Sequence, residues 1–146
     1  MRIITQISVF LINAPGRLAT LTHALAKAKV NVVALTLMDS AEHGVLRLIA
    51  DEPGRALKVL ERLGFQVSTT DVLEVEMPNR PGSLATVAQA LAEAHINIDY
   101  AYATSGAPGG HTLCVFKVPY LRKSIEALEK ALPALKGKQT RAVSAK

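Results

Sequence analysis

The chain has 146 residues, 49% of them apolar and 20% charged, and no apolar run approaches the roughly 20 residues that cross a bilayer, so it reads as a folded protein with no membrane segment. Much of its net charge of +5 sits in a basic tail, where Lys136, Lys138, Arg141 and Lys146 meet no acid, leaving 13 basic against 12 acidic residues in positions 1–135. Three Tyr, three Phe and no Trp offer little for bases to stack on, which sets a nucleic-acid partner aside, and the one cysteine, Cys114, excludes an internal disulfide and a cysteine-pair metal site.

The start, "MRIITQISVF", lacks the layout of a cleavable signal, which makes the cytoplasm the expected location. The first predicted element is a strand in which Ile7, Val9 and Leu11 alternate with Ser8, Phe10 and Ile12. The turn Asn13-Ala14-Pro15-Gly16 follows, and then a helix with Leu18, Leu21, Leu25 and Ala28 on one stripe. Asn31 punctuates the helix and is expected to begin a second strand, "VVALTLM", beside the first. The third strand, "GVLRLIA", returns antiparallel to the second. Asp51 is placed to cap a second helix with Ala56, Leu57, Leu60 and Leu63 in line and Gly64 as its stop, and "FQVSTT" closes the series as a fourth strand.

The series then begins again. A shift of 66 positions lays Asn13 to Val32 on Asn79 to Ile98 with eleven of twenty residues identical, including the turn Asn79-Arg80-Pro81-Gly82 and the closing Asn97. Leu73, Val75 and Met77 alternate with Glu74, Glu76 and Pro78 in the preceding strand, and Leu84, Val87, Leu91 and Ala94 form the helix stripe. Beyond the helix the shift becomes 67, laying "VLRLIA" on "TLCVFK", with one extra residue in the loop "SGAPGG". The last helix, with Leu121, Ile125, Leu128 and Leu132 in line, is expected to end at Pro133, and "TRAVSA" is the candidate for a final strand. Strand, helix, strand, strand, helix, strand is the ferredoxin-like plan, so the expected fold is α+β: two tandem βαββαβ domains, antiparallel sheets with helices on one face, over residues 1–70 and 71–135, followed by a basic tail at 136–146.

The repeated turn has a chemistry of its own. Pro15 and Pro81 fix the helix entrance, while Gly16 and Gly82 remove a side chain where a ligand can approach. The first helical turns, with Arg17 and Leu18 in one copy and Ser83 and Leu84 in the other, present N–H groups and a positive dipole end that suit a carboxylate. An Asn amide offers donor and acceptor together, so Asn13 or Asn79 can serve both ends of an amino acid, with Asn31 or Asn97 completing a clamp. The alternative is that each Asn caps a helix or tolerates a left-handed turn. Tyr100 and Tyr102 share a strand face suited to a pocket or to sheet packing, and His23, His43, His95 and His111 show no metal-ligand spacing. No catalytic, cofactor or phosphate-loop motif is present.

The turn Asn-x-Pro-Gly-x-Leu after a strand, the Ala- and Leu-rich helix and the hydrophobic-Asn-hydrophobic triplet resemble the ACT domain, in two copies. The resemblance implies a stand-alone tandem protein that is not an enzyme, needs no cofactor, and binds an amino acid where two ACT domains meet. Ligand contacts are implied for Asn13, Ala14, Pro15, Gly16, Arg17, Leu18 and Asn31, and for Asn79, Arg80, Pro81, Gly82, Ser83, Leu84 and Asn97. It also implies a homodimer and a regulated partner in amino-acid metabolism; the competing expectation is an assembly subunit without a ligand. The ACT domain of phosphoglycerate dehydrogenase, which binds serine, has a His two residues before the motif Asn. Leu11 and Met77 stand there instead, which implies a larger or more apolar amino acid.

Overall fold

The computed structural model describes residues 1–12, 14–38, 43–104 and 110–137. Six strands and four helices follow one another as β1 (Arg2–Ile12), α1 (Arg17–Lys27), β2 (Val32–Met38), β3 (His43–Ala50), α2 (Pro53–Arg62), β4 (Gln66–Pro78), α3 (Ser83–Glu93), β5 (Tyr100–Ala103), β6 (His111–Lys117) and α4 (Leu121–Gly137). The chain is α+β, built of tandem ferredoxin-like halves, and forms two compact units: Ile4–Asp71, and Val72 onward together with Met1–Ile3.

In the first unit the strands run in the order β2-β3-β1-β4. β3 pairs antiparallel with both β1 and β2, setting Leu46 opposite Val9 and Leu37, and Leu48 opposite Ile7 and Leu35. Alternation turns Ile7, Val9, Leu46 and Leu48 toward α1 and α2, where Leu21, Leu25, Ala56 and Leu60 meet them in one core. Because β3 lies between β1 and β2, Asn31 does not begin the strand beside β1, as the sequence had suggested. The split βαβ connection carries β2 one strand further out, to the sheet edge.

The second unit repeats the order as β4-β6-β5, with a core of Leu73, Val75, Met77, Val87, Leu91, Phe116 and Leu128. Here Val75 faces Cys114 and Leu73 faces Phe116, whereas in the first unit Val9 faces Leu46 and Ile7 faces Leu48. The third strands therefore superpose Leu46 on Cys114, a shift of 68 and not the 67 expected. The extra slot matters because a one-residue slip sends every side chain to the other face of the sheet, and only the longer shift keeps Cys114, Phe116 and Val118 in the core.

Three local expectations are corrected. Asp51 caps no helix: its carboxylate accepts the Asn31 backbone N–H at 2.9 Å, its own N–H donates to the Asn31 carbonyl at 3.1 Å, and Glu52 stands at the N-cap of α2 without a side-chain bond. Asn31 and Asn97 do not stop α1 and α3. Lys29 and His95 do, adopting φ of 57° and 55°, so that the Val30 and Ile96 N–H groups return to the carbonyls of Leu25 and Leu91. Pro133 does not end α4, which continues to Gly137; in the final turns a proline sacrifices one hydrogen bond without stopping the helix.

The N-terminal strand extends beyond its predicted start, and residues 1–3 belong to the second unit. There the Arg2 guanidinium meets the buried Glu74 carboxylate, Nε to Oε1 at 2.7 Å and Nη2 to Oε2 at 3.4 Å. This fork holds the Arg2 charge more firmly than usual, chiefly through its hydrogen bond to Glu74 and then through the opposite charge. In strand order β1 lies beside β4, so Met1–Ile3 take the place in the second unit that a fourth strand fills in the first. The tail proposed for that strand, "TRAVSA", lies outside the described residues.

Candidate functional site

Each repeated turn opens onto a cavity within its own unit. The first, about 250 Å³, is lined by Leu11 and Ile12 of β1, Ala14 of the turn, Arg17 and Leu18 of α1, Leu37 and Met38 of β2, and Gly44 of β3. The second, about 340 Å³, is lined by Met77, Pro78, Asn79, Arg80, Ser83, Leu84, Ala103, Thr104, Thr112 and Cys114. The repeat relates them residue by residue. Leu11 answers to Met77, Arg17 to Ser83, Leu37 to Ala103 and Met38 to Thr104, and Gly44, opposite Leu11, answers to Thr112, opposite Met77. Both volumes lie near or below the lower end of the roughly 300–1,000 Å³ of drug-sized sites, as suits a molecule the size of an amino acid.

The turn gives both helix entrances the same backbone geometry. Gly16 and Gly82 stand at the N-caps with φ of 82° and 89°, a left-handed conformation that favours glycine. The bonds from Thr20 N–H to the Gly16 carbonyl (2.9 Å) and from Thr86 N–H to the Gly82 carbonyl (3.0 Å) open the helical ladders. Backbone N–H groups ahead of them, at Leu18, Ala19, Leu84 and Ala85, have no partner within the helix. Neither helix carries an acid in its first turn, so no side-chain carboxylate there meets the positive dipole end. Because glycine is the N-cap in both copies, neither motif Asn occupies that position.

One further coincidence marks the same place. Among the described residues, the buried side-chain nitrogen or oxygen atoms without a hydrogen-bond partner are Arg17 Nε and Ser83 Oγ. These are equivalent positions of the two copies, and each lines its cavity. Buried polar groups are nearly always paired, so two orphans at one repeated position call for an explanation. The Arg17 guanidinium carbon lies 5.0 Å over the ring centroid of Phe65, a cation–π contact that holds it at the mouth of α1.

The predicted site residues divide. Ala14, Arg17 and Leu18 line the first cavity, and Asn79, Arg80, Ser83 and Leu84 the second, while Pro15, Gly16, Pro81 and Gly82 shape the turns without lining either. Asn13 lies outside the described residues. Asn31 and Asn97 line neither cavity: each follows its helix, at the far end from the turn, and an 11-residue helix puts about 16 Å between those ends. Tyr100 and Tyr102 lie on the sheet face opposite the helices, away from the second cavity. Sequence reasoning missed the strand walls, Leu37, Met38, Gly44, Ala103, Thr104 and Thr112. The signal was available, since the positions next to the turn in space recur at the ends of the second and third strands in both copies. Among the described residues no cluster of three His, Cys, Asp or Glu is placed to hold a metal, and no helix is long and apolar enough to cross a membrane.

Cys114 gives the second cavity a chemical reporter. It is buried, its Sγ lies 3.9 Å from Met77 Sδ, and burial pushes its pKa above the usual thiol value. The thiolate is therefore scarce near neutral pH. With iodoacetamide at pH 8, mass spectrometry is expected to show alkylation at least about tenfold slower than for free cysteine; an equal rate would contradict this placement. For the same reason stability is expected to fall as pH rises past the ordinary thiol pKa, where the unfolded chain releases this proton before the folded one does.

Two ferredoxin-like halves, each with a cavity at a Pro-Gly helix entrance, make a paired architecture. A family profile described as the ACT domain pair matches residues 1–140, and the chain belongs to that family. Among solved structures it is similar to a protein of Bacteroides thetaiotaomicron, with 35% identity, 88% of each chain covered and a TM-score of 0.82. It shares its fold with the ligand-free regulatory subunit of aspartate kinase from Thermus thermophilus (19% identity, 90% of this chain and 97% of that one, TM-score 0.68). The corresponding subunit from Thermus flavus is similar too (20% identity, 88% and 92% covered, TM-score 0.59). No curated protein sequence matches the chain.

Proposed function

We propose that the protein is a non-catalytic, cytoplasmic regulatory protein that binds amino acids in its two turn cavities and controls a partner enzyme of amino-acid metabolism. The observation that carries this reading is the pair of orphaned buried atoms, Arg17 Nε and Ser83 Oγ, at equivalent places beside two helix N-termini. A ligand carboxylate meets the free N–H groups and the dipole, its ammonium meets the motif Asn, and its side chain enters the cavity. That regulatory subunits of aspartate kinase share the fold supports the regulatory half of the reading.

Control follows by linkage. A ligand shifts an arrangement of the protein or of its complex only by as much as it binds one state better than the other. The reading includes a homodimer. β2 is the edge strand of the first unit, and Leu35, Leu37 and Met38 on it are 45%, 48% and 54% exposed; Leu37 and Met38 also line the first cavity, so a second copy laid there would close it. Asn31 or Asn97 reaches a ligand only from such a second copy.

A thermal-shift screen of the twenty amino acids at millimolar concentration tests the reading. A ligand at a hundred times its dissociation constant stabilises the folded state by about 2.7 kcal/mol, enough to raise the melting temperature by several degrees. Silence from all twenty would overturn the proposal. Sedimentation of the same samples is expected to show a two-chain species, and monomer throughout would remove the dimer from it.

A further inference from the structure

We infer that the two cavities take different amino acids, the first one with an aliphatic or thioether side chain and the second one with a hydroxyl side chain. The inference rests on the amino-acid reading above and adds to it which chemistry each turn selects; for the second cavity it departs from the larger or more apolar ligand that Met77 implied by resemblance, because Ser83 Oγ, Thr104 and Thr112 stand beside Met77 there. The repeated turn supplies the same backbone fittings for a carboxylate in both copies, so selectivity has to come from the side chains around it, and these differ at matched positions on the strands and at Arg17 and Ser83.

In the first cavity Ile12, Leu37 and Met38 form the wall and Gly44 leaves the floor bare. A Cβ on Gly44 would stand 3.3 Å from the Met38 carbonyl oxygen and 3.5 Å from Leu37 Cδ1, so the glycine lets β2 close over the cavity. Among the described lining residues Arg17 alone has a polar side chain, and it stands at the helix mouth. Among the described residues a hydroxyl or amide on the ligand would meet no polar side chain there except Arg17 at the mouth, whereas a branched or thioether chain needs none.

In the second cavity Ala103 stands where Leu37 does, and Thr104 and Thr112 replace Met38 and Gly44. Their hydroxyls already serve the strands: Thr112 Oγ1 donates to the Thr104 carbonyl at 2.7 Å, and Thr104 Oγ1 accepts the Leu113 N–H at 3.2 Å. Ser83 Oγ has no such employment. It is 4% exposed, lines the cavity, and has no partner among the described residues. A ligand hydroxyl satisfies it as donor or acceptor, and a site with an orphaned hydroxyl discriminates strongly against a ligand that leaves it unpaired. The cation also moves, from Arg17 on the first turn of α1 to Arg80 in the turn before α3, clearing the place beside Ser83.

Calorimetry on the full chain with L-leucine, L-methionine, L-serine and L-threonine tests the inference. The wild-type protein is expected to bind one equivalent from each class, and a leucine-saturated sample is expected still to bind L-serine or L-threonine. Arg17→Ala should weaken the aliphatic ligand at least about tenfold and leave the hydroxyl ligand unchanged, and Ser83→Ala should do the reverse. Unliganded melting curves verify that each variant folds, and Leu37→Thr at the exposed strand edge gives a second probe, expected to weaken the aliphatic or thioether ligand and leave the hydroxyl ligand unchanged. One amino acid filling both cavities, and weakened by either variant, would overturn the inference and leave the amino-acid reading standing. Heat from none of the four also overturns it; the twenty-compound screen then decides separately whether the broader reading falls as well.

Discussion

Leu91→Ala is expected to lower the stability of the second unit by about 2–5 kcal/mol, because deleting a fully buried leucine loses its transfer free energy and leaves a cavity that its neighbours only partly fill. Leu91 is 0% exposed, packed in one core with Leu73, Val75, Val87, Phe116 and Leu128. Leu25, 1% exposed, holds the equivalent place in the other core among Ile7, Val9, Leu21, Leu46 and Leu60, and Leu25→Ala carries the same expected loss. The two clusters share no residue. Native-state hydrogen exchange is therefore expected to show Leu91→Ala loosening the β6 amides while β3 keeps its protection, and Leu25→Ala doing the converse. Equal loss in both strands for either variant would show that the halves open as one unit.

The repeat made much of this architecture readable. Period-two alternation at Ile7, Val9 and Leu11 and the stripe Leu18, Leu21, Leu25 are local signals of core-facing surfaces, and their recurrence 66 positions later settles the element order. What stayed hidden depends on partners far along the chain. Nothing near Met1 tells that Arg2 will fork onto Glu74, 72 residues away, and so put the first three residues in the second unit. Asp51 looks like a cap by sequence position, yet it is held by Asn31, 20 residues earlier, because β2 and the end of β3 lie side by side. The shift of 68 in the third strand was invisible because "LRLIA" and "LCVFK" are apolar at nearly every position, and a nearly uniform run cannot report which face is buried.

The candidate site divides along the same line. The turn and the first helical residues, Ala14, Arg17 and Leu18 with Arg80, Ser83 and Leu84, are contiguous in sequence and were legible from the helix entrance. The walls that carry selectivity come from the ends of β2, β3, β5 and β6 and required the strand register. The ACT resemblance, with a second strand expected beside the first, places Asn31 and Asn97 in the clamp. The helix between them and the turn, which the sequence itself predicts, is what separates them from the cavities.

Gly82→Ala and Gly54→Ala are expected to change stability in opposite directions although the added methyl group meets open space in both, with nothing within 4 Å of either Cβ position. The difference is conformational. Gly82 sits at φ of 89°, where an L-residue pays about 1–2 kcal/mol, so Gly82→Ala should destabilise by about that much. Gly54 lies in the first turn of α2 without a positive φ, where alanine restricts the unfolded chain at no native cost and should add about 0.4–1 kcal/mol. Urea denaturation of the three proteins reads both shifts. The functional consequence separates them further. Relaxing the strained turn re-aims the N–H groups of Leu84 and Ala85, so Gly82→Ala is expected to lose the response of the second cavity to its amino acid while Gly54→Ala keeps it. A Gly82→Ala protein that is destabilised but binds as before would place the ligand elsewhere than at the mouth of α3.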